Sequence, residues 1–258
     1  MAHGGSGTAV GAIRLSDVSK EFPLAKGEKL RVLEGVSFEA ADHSFTSILG
    51  PSGCGKSTIL NLIAGLDDHS SGQISIDGNR IGFVFQQPRL LNWRTVADNV
   101  MLPLEQENLA PGAMRSRAQE YIGLVGLAGY ENYYPLQLSG GMQQRASIAR
   151  ALAIDPDILL MDEPFSGLDE ITARMLRQEL IRIWQETGKT ILFVTHSISE
   201  SIFLSQQVLI VSTKPATIFK RIVIDLPYPR EYGDLRLFEI ETNLTRDFLG
   251  MGSSRHER

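Results

Sequence analysis

The stretch Gly50-Pro51-Ser52-Gly53-Cys54-Gly55-Lys56-Ser57-Thr58 decides the fold. It fits the spacing G-x-x-x-x-G-K-[ST] of a phosphate-binding P-loop. Residues 44–49 before it are short and apolar-rich, as in a buried strand, and residues 58–66 after it are apolar at helical spacing. Strand, glycine loop and helix are the context that this motif requires. Gly50, Gly53 and Gly55 let backbone N–H groups curl around phosphate oxygens with no Cβ in the way. The helix starting near Lys56 points its positive end at the same anion. Lys56 offers a point charge to the β- and γ-phosphates, and the Ser57 hydroxyl is placed to ligate Mg²⁺. The whole loop, from Gly50 through Pro51, Ser52, Cys54 and Thr58, is the expected nucleotide cradle.

A second acidic feature lies further along. Ile158-Leu159-Leu160-Met161 is a continuous apolar run, as in a central parallel strand, and it ends in Asp162-Glu163-Pro164. Two carboxylates then sit at the carboxyl edge of a sheet, where ligands bind in open α/β folds. Asp162 suits a Mg²⁺ ligand, and Glu163, one position further out, suits a group that orients or deprotonates water. A third feature, Leu138-Ser139-Gly140-Gly141-Met142-Gln143-Gln144-Arg145, runs directly into a helical pattern. Its hydroxyl and unobstructed N–H groups form another phosphate grip. One nucleotide needs one such grip from one chain, so this surplus points to a nucleotide held by a second copy.

Composition narrows the class. The chain has 258 residues, 43% hydrophobic and 21% charged, with a net charge of −5. It can bury a sizeable core, and the acidic balance disfavours a nucleic-acid partner. No run is long enough to span a bilayer, and residues 1–11 lack the order of a signal peptide, so contact with a membrane is expected through a partner. The single cysteine, Cys54, excludes an internal disulfide and suits a reducing cytosol. It is read as a small tolerated loop residue, with a redox role as the alternative.

Residues 1–11 read as a flexible tail. Strand-like alternation marks 13–18, 32–39 and 73–79, with a short apolar strand at 81–85. Helical pattern dominates from 92 to 155, broken at Pro103, Pro111-Gly112 and Pro135. An amphipathic helix (171–186), strands at 190–194, 207–211 and 218–224, and a terminal helix near 235–249 complete the chain. The expected organisation is one domain over 12–250, with a core of 12–91 and 156–225. A helical lobe (92–155) is inserted in it, an extension covers 226–250, and a tail covers 251–258.

The order of P-loop, Leu-Ser-Gly-Gly, Asp-Glu-Pro and Ser166-Gly167-Leu168-Asp169 resembles the ATP-binding cassette (ABC) ATPases along nearly the whole chain. The resemblance implies an α/β fold: a P-loop NTPase, RecA-like core with an antiparallel β-subdomain and an inserted α-helical subdomain. It implies ATP and Mg²⁺ as ligands. Lys56, Gln86, Glu163 and His196 would be catalytic, and Ser57, Gln86 and Asp162 would sit around Mg²⁺. In each of two sites a second ATPase subunit would supply Ser139, Gly140 and Gly141. Phe22 resembles the aromatic that stacks on adenine, with core packing as the alternative. Gln86 resembles the glutamine that senses Mg²⁺ and γ-phosphate, and His196 the switch histidine. His3, His43, His69 and His256 have no such context and are read as surface residues. A bulky thiol reagent on Cys54 is expected to block ATP binding.

The segment 87–96, with Leu90, Leu91 and Trp93, fits either inter-lobe packing or a groove for a helix of a membrane partner. It resembles the nitrate/sulfonate/taurine/bicarbonate importer branch, with Asn92 in place of a proline, as does Asp225-Leu226-Pro227-Tyr228-Pro229-Arg230. Departures are Ser197, where Asp is frequent, and Ser205-Gln206-Gln207, where Ala-Asp-Arg is usual. The resemblance implies an ATPase subunit on the cytoplasmic face of the membrane. Its partners would be permease subunits and, indirectly, an extracytoplasmic solute-binding protein for a small anionic solute. A soluble non-transport ABC ATPase and a non-hydrolysing regulator are the alternatives. A single cassette without heptads disfavours the first, and Glu163 with His196 disfavours the second.

Overall fold

The computed structural model describes residues 12–78 and 80–253. The expected flexible segment 1–11, His3 and His256 therefore lie outside the described residues.

Two sheets share the strands. β1 (Ile13–Pro23), β2 (Lys29–Ala40) and β4 (Ser71–Ile76) form a three-stranded antiparallel sheet with β1 in the middle. β3 (Phe45–Leu49) leads into the glycine loop, and α1 (Lys56–Ile63) leaves it. The second sheet joins β3 to β5 (Ile81–Val84), β6 (Ile158–Asp162), β7 (Thr190–Thr195), β8 (Gln207–Val211) and β9 (Ile218–Val223). Its order is β5-β6-β7-β3-β8-β9, parallel except for β9. β7 is thus inserted between the P-loop strand β3 and the Asp162 strand β6, so the carboxyl ends of all three lie side by side.

The central strands bury both faces, and the period of two divides their side chains between two cores. Leu159, Met161, Ile191, Phe193, Val208 and Ile210 face one core, and Ile158, Leu160, Leu192, Val194, Leu209 and Val211 face the other. The second core is completed by α1 and the antiparallel sheet. The first is completed by α2 (Val96–Met101), α3 (Pro111–Leu124), α4 (Gly140–Leu152), α5 (Glu170–Thr187), α6 (Ile198–Leu204) and part of α7 (Leu235–Ser253).

Pro111 does not break a helix but opens one: it stands at the first turn of α3, where its missing N–H would have no partner in any case. α1 stops at Ile63 because Gly65 turns left-handed at φ 67°.

Candidate active site

The loop adopts a backbone that only glycine takes readily at two points, Gly53 at φ 74° and Gly55 at φ 124°. A Cβ on Gly55 would also stand 3.0 Å from Val32 Cγ1 and Leu33 Cδ2, so the loop is packed directly on β2. Gly55 is the N-cap of α1 and offers no side chain to its first N–H groups, which are left for an anion. Lys56 is buried; its Nζ donates to the carbonyls of Gly50 (2.9 Å) and Pro51 (3.0 Å). It also stands 3.3 Å from Glu163 Oε1.

Adjacent strand ends supply the rest. Ser57 Oγ, from the first turn of α1, donates to Asp162 Oδ1 at 3.0 Å. Burial raises the Asp162 carboxyl above its ordinary range; the Ser57 hydrogen bond opposes that rise, and the Glu163 charge adds to it. Glu163 Oε2 lies 2.8 Å from His196 Nδ1, just beyond the end of β7. Glu163 therefore bridges Lys56 and His196. Its backbone is left-handed, at φ 42°, a conformation that costs a non-glycine residue on the order of 1–3 kcal/mol. Three bonds hold it there: Glu163 N–H to Val194 O (3.0 Å), and Ser166 N and Oγ to Glu163 O (3.1 and 2.9 Å).

The cavity beside this cluster has a volume of about 320 Å³ and is lined by Phe22, Leu30, Val32, Gly53, Gly55, Lys56, Ser57, Thr58, Glu163 and Lys214. Phe22 projects into it from β1, with the Lys20 ammonium 4.6 Å from its ring centroid. The ring is half-buried, so it lines the cavity and also packs on the second core. Leu30, Val32 and Lys214 escape the sequence reading because no motif marks them. The packing of β2 and of the β8–β9 turn around the loop brings them there. Cys54 turns the other way. It is 3% exposed and packed in the second core, its N–H donates to Pro51 O, and burial pushes its thiol above the ordinary range. The expected block by a thiol reagent is therefore corrected: the sulfur is core filling, out of reagent reach and in its less reactive form.

Gln86 and the glycine signature do not line this cavity. A neighbouring cleft holds Gln86, Gly140, Gln143, Gln144, Ser166 and Leu168, and there Gln86 Nε2 donates to Ser166 Oγ at 3.0 Å. Ser139 caps α4 by accepting from Met142 N–H at 3.3 Å, which leaves its own hydroxyl proton free to donate. Gly141 packs so closely on α5 that a Cβ would meet Thr172 Cγ2 at 2.6 Å.

Two supporting residues missed in the sequence are polar, Asn99 buried and Arg150 half-buried. Asn99 donates to the carbonyls of Leu91, Arg94 and Thr95 and accepts from Leu91 N–H, which shapes the turn that exposes Trp93. Arg150 on α4 donates to the carbonyls of Pro88 and Arg89, tying the signature helix to the segment after Gln86. The departures have local duties. Ser197 caps α6 by accepting from Glu200 N–H, Gln206 Oε1 accepts from Phe45 N–H, and Gln207 Nε2 donates to Glu39 O.

Among the described residues no cluster of three or more His, Cys, Asp or Glu side chains could hold a metal alone. Mg²⁺ needs no such cage: it takes one or two protein oxygens and fills its shell from phosphates and water. The hydroxyl of Ser57 and the carboxylate of Asp162, 3.0 Å apart, are a hard-oxygen pair that fits this role.

A glycine loop over a parallel sheet, with carboxylates at the end of the strand one place beyond its neighbour, defines a P-loop ATPase cassette. The ABC transporter family profile matches residues 33–166. The chain belongs to this family, and it is an ABC-type ATPase. It is 42% identical to "Aliphatic sulfonates import ATP-binding protein SsuB" of Bacillus cereus (strain ZK / E33L), over 92% of this chain and 95% of that protein. It is also 42% identical to "Taurine import ATP-binding protein TauB" of Rhizobium johnstonii, over 86% of this chain and 87% of that one. A dimeric structure of a post-hydrolysis state of the ATP-binding cassette MJ0796, bound to ADP and Pi, superposes with a TM-score of 0.74. The identity is 33%, over 85% of this chain and all of that one.

Proposed function

We propose that this chain is the ATP-hydrolysing subunit of an importer for a small anionic solute of the sulfonate or taurine kind. The observation that carries the hydrolytic part is the placement of Glu163 between Lys56 and His196, beside the cavity walled by Phe22. In this reading Phe22 stacks on the base, and the N–H groups from Gly50 to Thr58 hold the phosphates with Lys56. Ser57, Asp162 and Gln86 would hold Mg²⁺, and the ion would supply charge neutralisation for the transferred phosphoryl group. Glu163 orients a water and takes its proton. His196 fixes the Glu163 carboxylate and reports on the γ-phosphate. Before hydrolysis Lys56 moves from the Gly50 and Pro51 carbonyls to phosphate, and Gln86 leaves Ser166.

Ser139, Gly140 and Gly141 are absent from the lining of this chain's own P-loop cavity, and Gly140 lines a different cleft, which supports their action on the nucleotide of a second subunit. The helical segment 92–155 acts as the lobe that meets the membrane partner. An apolar groove lined by Phe83, Phe85, Leu91, Leu102, Pro103 and Ile154 lies at its junction with the core and suits a short permease helix. No helix among the described residues is long and apolar enough to cross a membrane. The solute class is supported by what the relatives are named for.

Glu163→Gln tests the hydrolytic core. Steady-state turnover should fall by about 10²- to 10⁴-fold while Mg-ATP binding persists, because an amide cannot accept the proton. Brisk hydrolysis by the variant would remove Glu163 from the role. Uptake of taurine or an alkanesulfonate into vesicles carrying the permease, stimulated by this subunit and ATP, tests the solute. Failure to co-purify with a multi-span membrane protein would favour the soluble alternative.

A further inference from the structure

His196 meets Glu163 Oε2 at 2.8 Å with a side chain that is 52% exposed, so little packing holds the imidazole in place. The residues on either side of it are held instead. Thr195, the last residue of β7, is buried. Its Oγ1 donates to Glu200 Oε2 at 2.6 Å and accepts from Ser197 N–H at 3.0 Å. Ser197 Oγ in turn accepts from Glu200 N–H at 3.3 Å. The three bonds close a ring, from Thr195 to Glu200 to Ser197 and back, that spans His196. We propose that Thr195 and Glu200 are positioning residues of the hydrolytic site: they fix the backbone that carries His196 and so set where its imidazole meets Glu163. This role rests on the hydrolytic reading of His196 and Glu163 and adds two residues to it.

The ring is anchored on both sides. Towards the phosphate cradle, Gly50 N–H donates to Thr195 O at 3.4 Å, which ties Thr195 to the first residue of the P-loop. On the other side stands Arg177 of α5, which is buried, with Nε 3.6 Å from Glu200 Oε1. Its guanidinium donates to Tyr232 Oη at 3.0 Å and to Glu170 Oε2 at 3.2 Å. The Tyr232 ring stacks on Phe203 of α6, with centroids 4.1 Å apart. Glu200 is therefore held from α5, from its own helix and from the segment before α7. The Thr195 hydroxyl has one proton and two lone pairs. It spends the proton on Glu200 and a lone pair on Ser197 N–H, so removing that one hydroxyl opens two sides of the ring.

Steady-state hydrolysis by Thr195→Val, Thr195→Ser, Glu200→Ala, His196→Ala and the double variant Thr195→Val/His196→Ala tests this, with Mg-ATP affinity read by calorimetry. Val keeps the shape of Thr and lacks the hydroxyl. Thr195→Val should lower kcat by about 10- to 100-fold, as a misplaced catalytic group does, with the Kd for Mg-ATP within about twofold of wild type. Thr195→Ser should recover most of kcat. Glu200→Ala should show the same split between kcat and Kd, and it carries the test if Thr195→Val does not fold. Added to His196→Ala, Thr195→Val should cost less than about twofold more, because residues that act as a unit are not additive. A kcat within about twofold of wild type, a rise in Kd as large as the fall in kcat, no recovery in Thr195→Ser, or an additive loss in the double variant overturns the assignment. If His196→Ala lowers kcat and the ring variants do not, only this assignment falls. If His196→Ala hydrolyses as fast as wild type, the reading of His196 falls and this role falls with it.

Discussion

Glu200 and Cys54 are single side chains whose surroundings govern their chemistry. Glu200 sits on α6 and accepts from Thr195 Oγ1 at 2.6 Å; Arg177 Nε lies 3.6 Å away. Burial outweighs these partners and raises its carboxyl above the ordinary value. A carboxyl raised in the folded state adds stability below its unfolded pKa, and that stability is lost as pH rises through the folded value. The melting temperature of Glu200→Gln relative to wild type should therefore climb as pH goes from about 4 to 7. A flat difference would show that Arg177 and Thr195 fully compensate the buried charge. For Cys54, labelling by a disulfide reagent should reach completion only in denaturant and should be indifferent to Mg-ATP. Fast labelling of the folded protein would contradict its inward orientation.

At the scale of elements, α4 and α5 meet through a glycine. Gly141→Ala places a methyl 2.6 Å from Thr172 Cγ2, and overpacking of this kind costs about 1–3 kcal/mol, readable as a lowered denaturant midpoint. Thr172→Ser removes the clashing methyl and should recover most of the loss; no recovery would place the strain elsewhere. α6 is fixed at both ends. Ser197 caps its start, and the Arg230 guanidinium donates to the carbonyls of Ile202, Phe203 and Ser205 at its end. The Asp225–Arg230 segment is legible in the sequence as a family likeness, but its use as a helix clamp is not. Nothing local in a Pro-rich segment reveals which carbonyls a distant arginine will meet.

Over the whole molecule, the separation of two clefts has a consequence for assembly. Gly140 of the signature lines a cleft apart from this chain's own phosphate cradle, and in the proposed function a second copy completes the site. Glu163→Gln with Mg-ATP should run as a dimer in light scattering, and should return to monomer when Lys56→Ala is added. A monomer under saturating ATP would separate the signature from nucleotide binding.

The motifs were readable from sequence because each is a run of adjacent residues whose chemistry is local. Glycines permit a loop, an apolar run makes a buried strand, and an acidic pair ends it. Periodicity likewise placed the central strands, since a strand buried on both faces has no polar alternation to confuse. Strand order was not local. β7 lies between β3 and β6, which puts His196 beside Glu163, while Ser57 reaches Asp162 from the first turn of α1. Only packing decided which faces of β1 and β2 and which turn enclose the cavity, so Phe22 stood with an alternative while Leu30, Val32 and Lys214 carried no signal. The same packing turned Cys54 inward from a loop whose composition suggests exposure. Sequence determines what each segment can bind, because binding groups are side chains and N–H groups in a row. Tertiary structure alone determines which groups share a cavity, because hydrophobic burial and strand pairing, acting over the whole chain, set those neighbours.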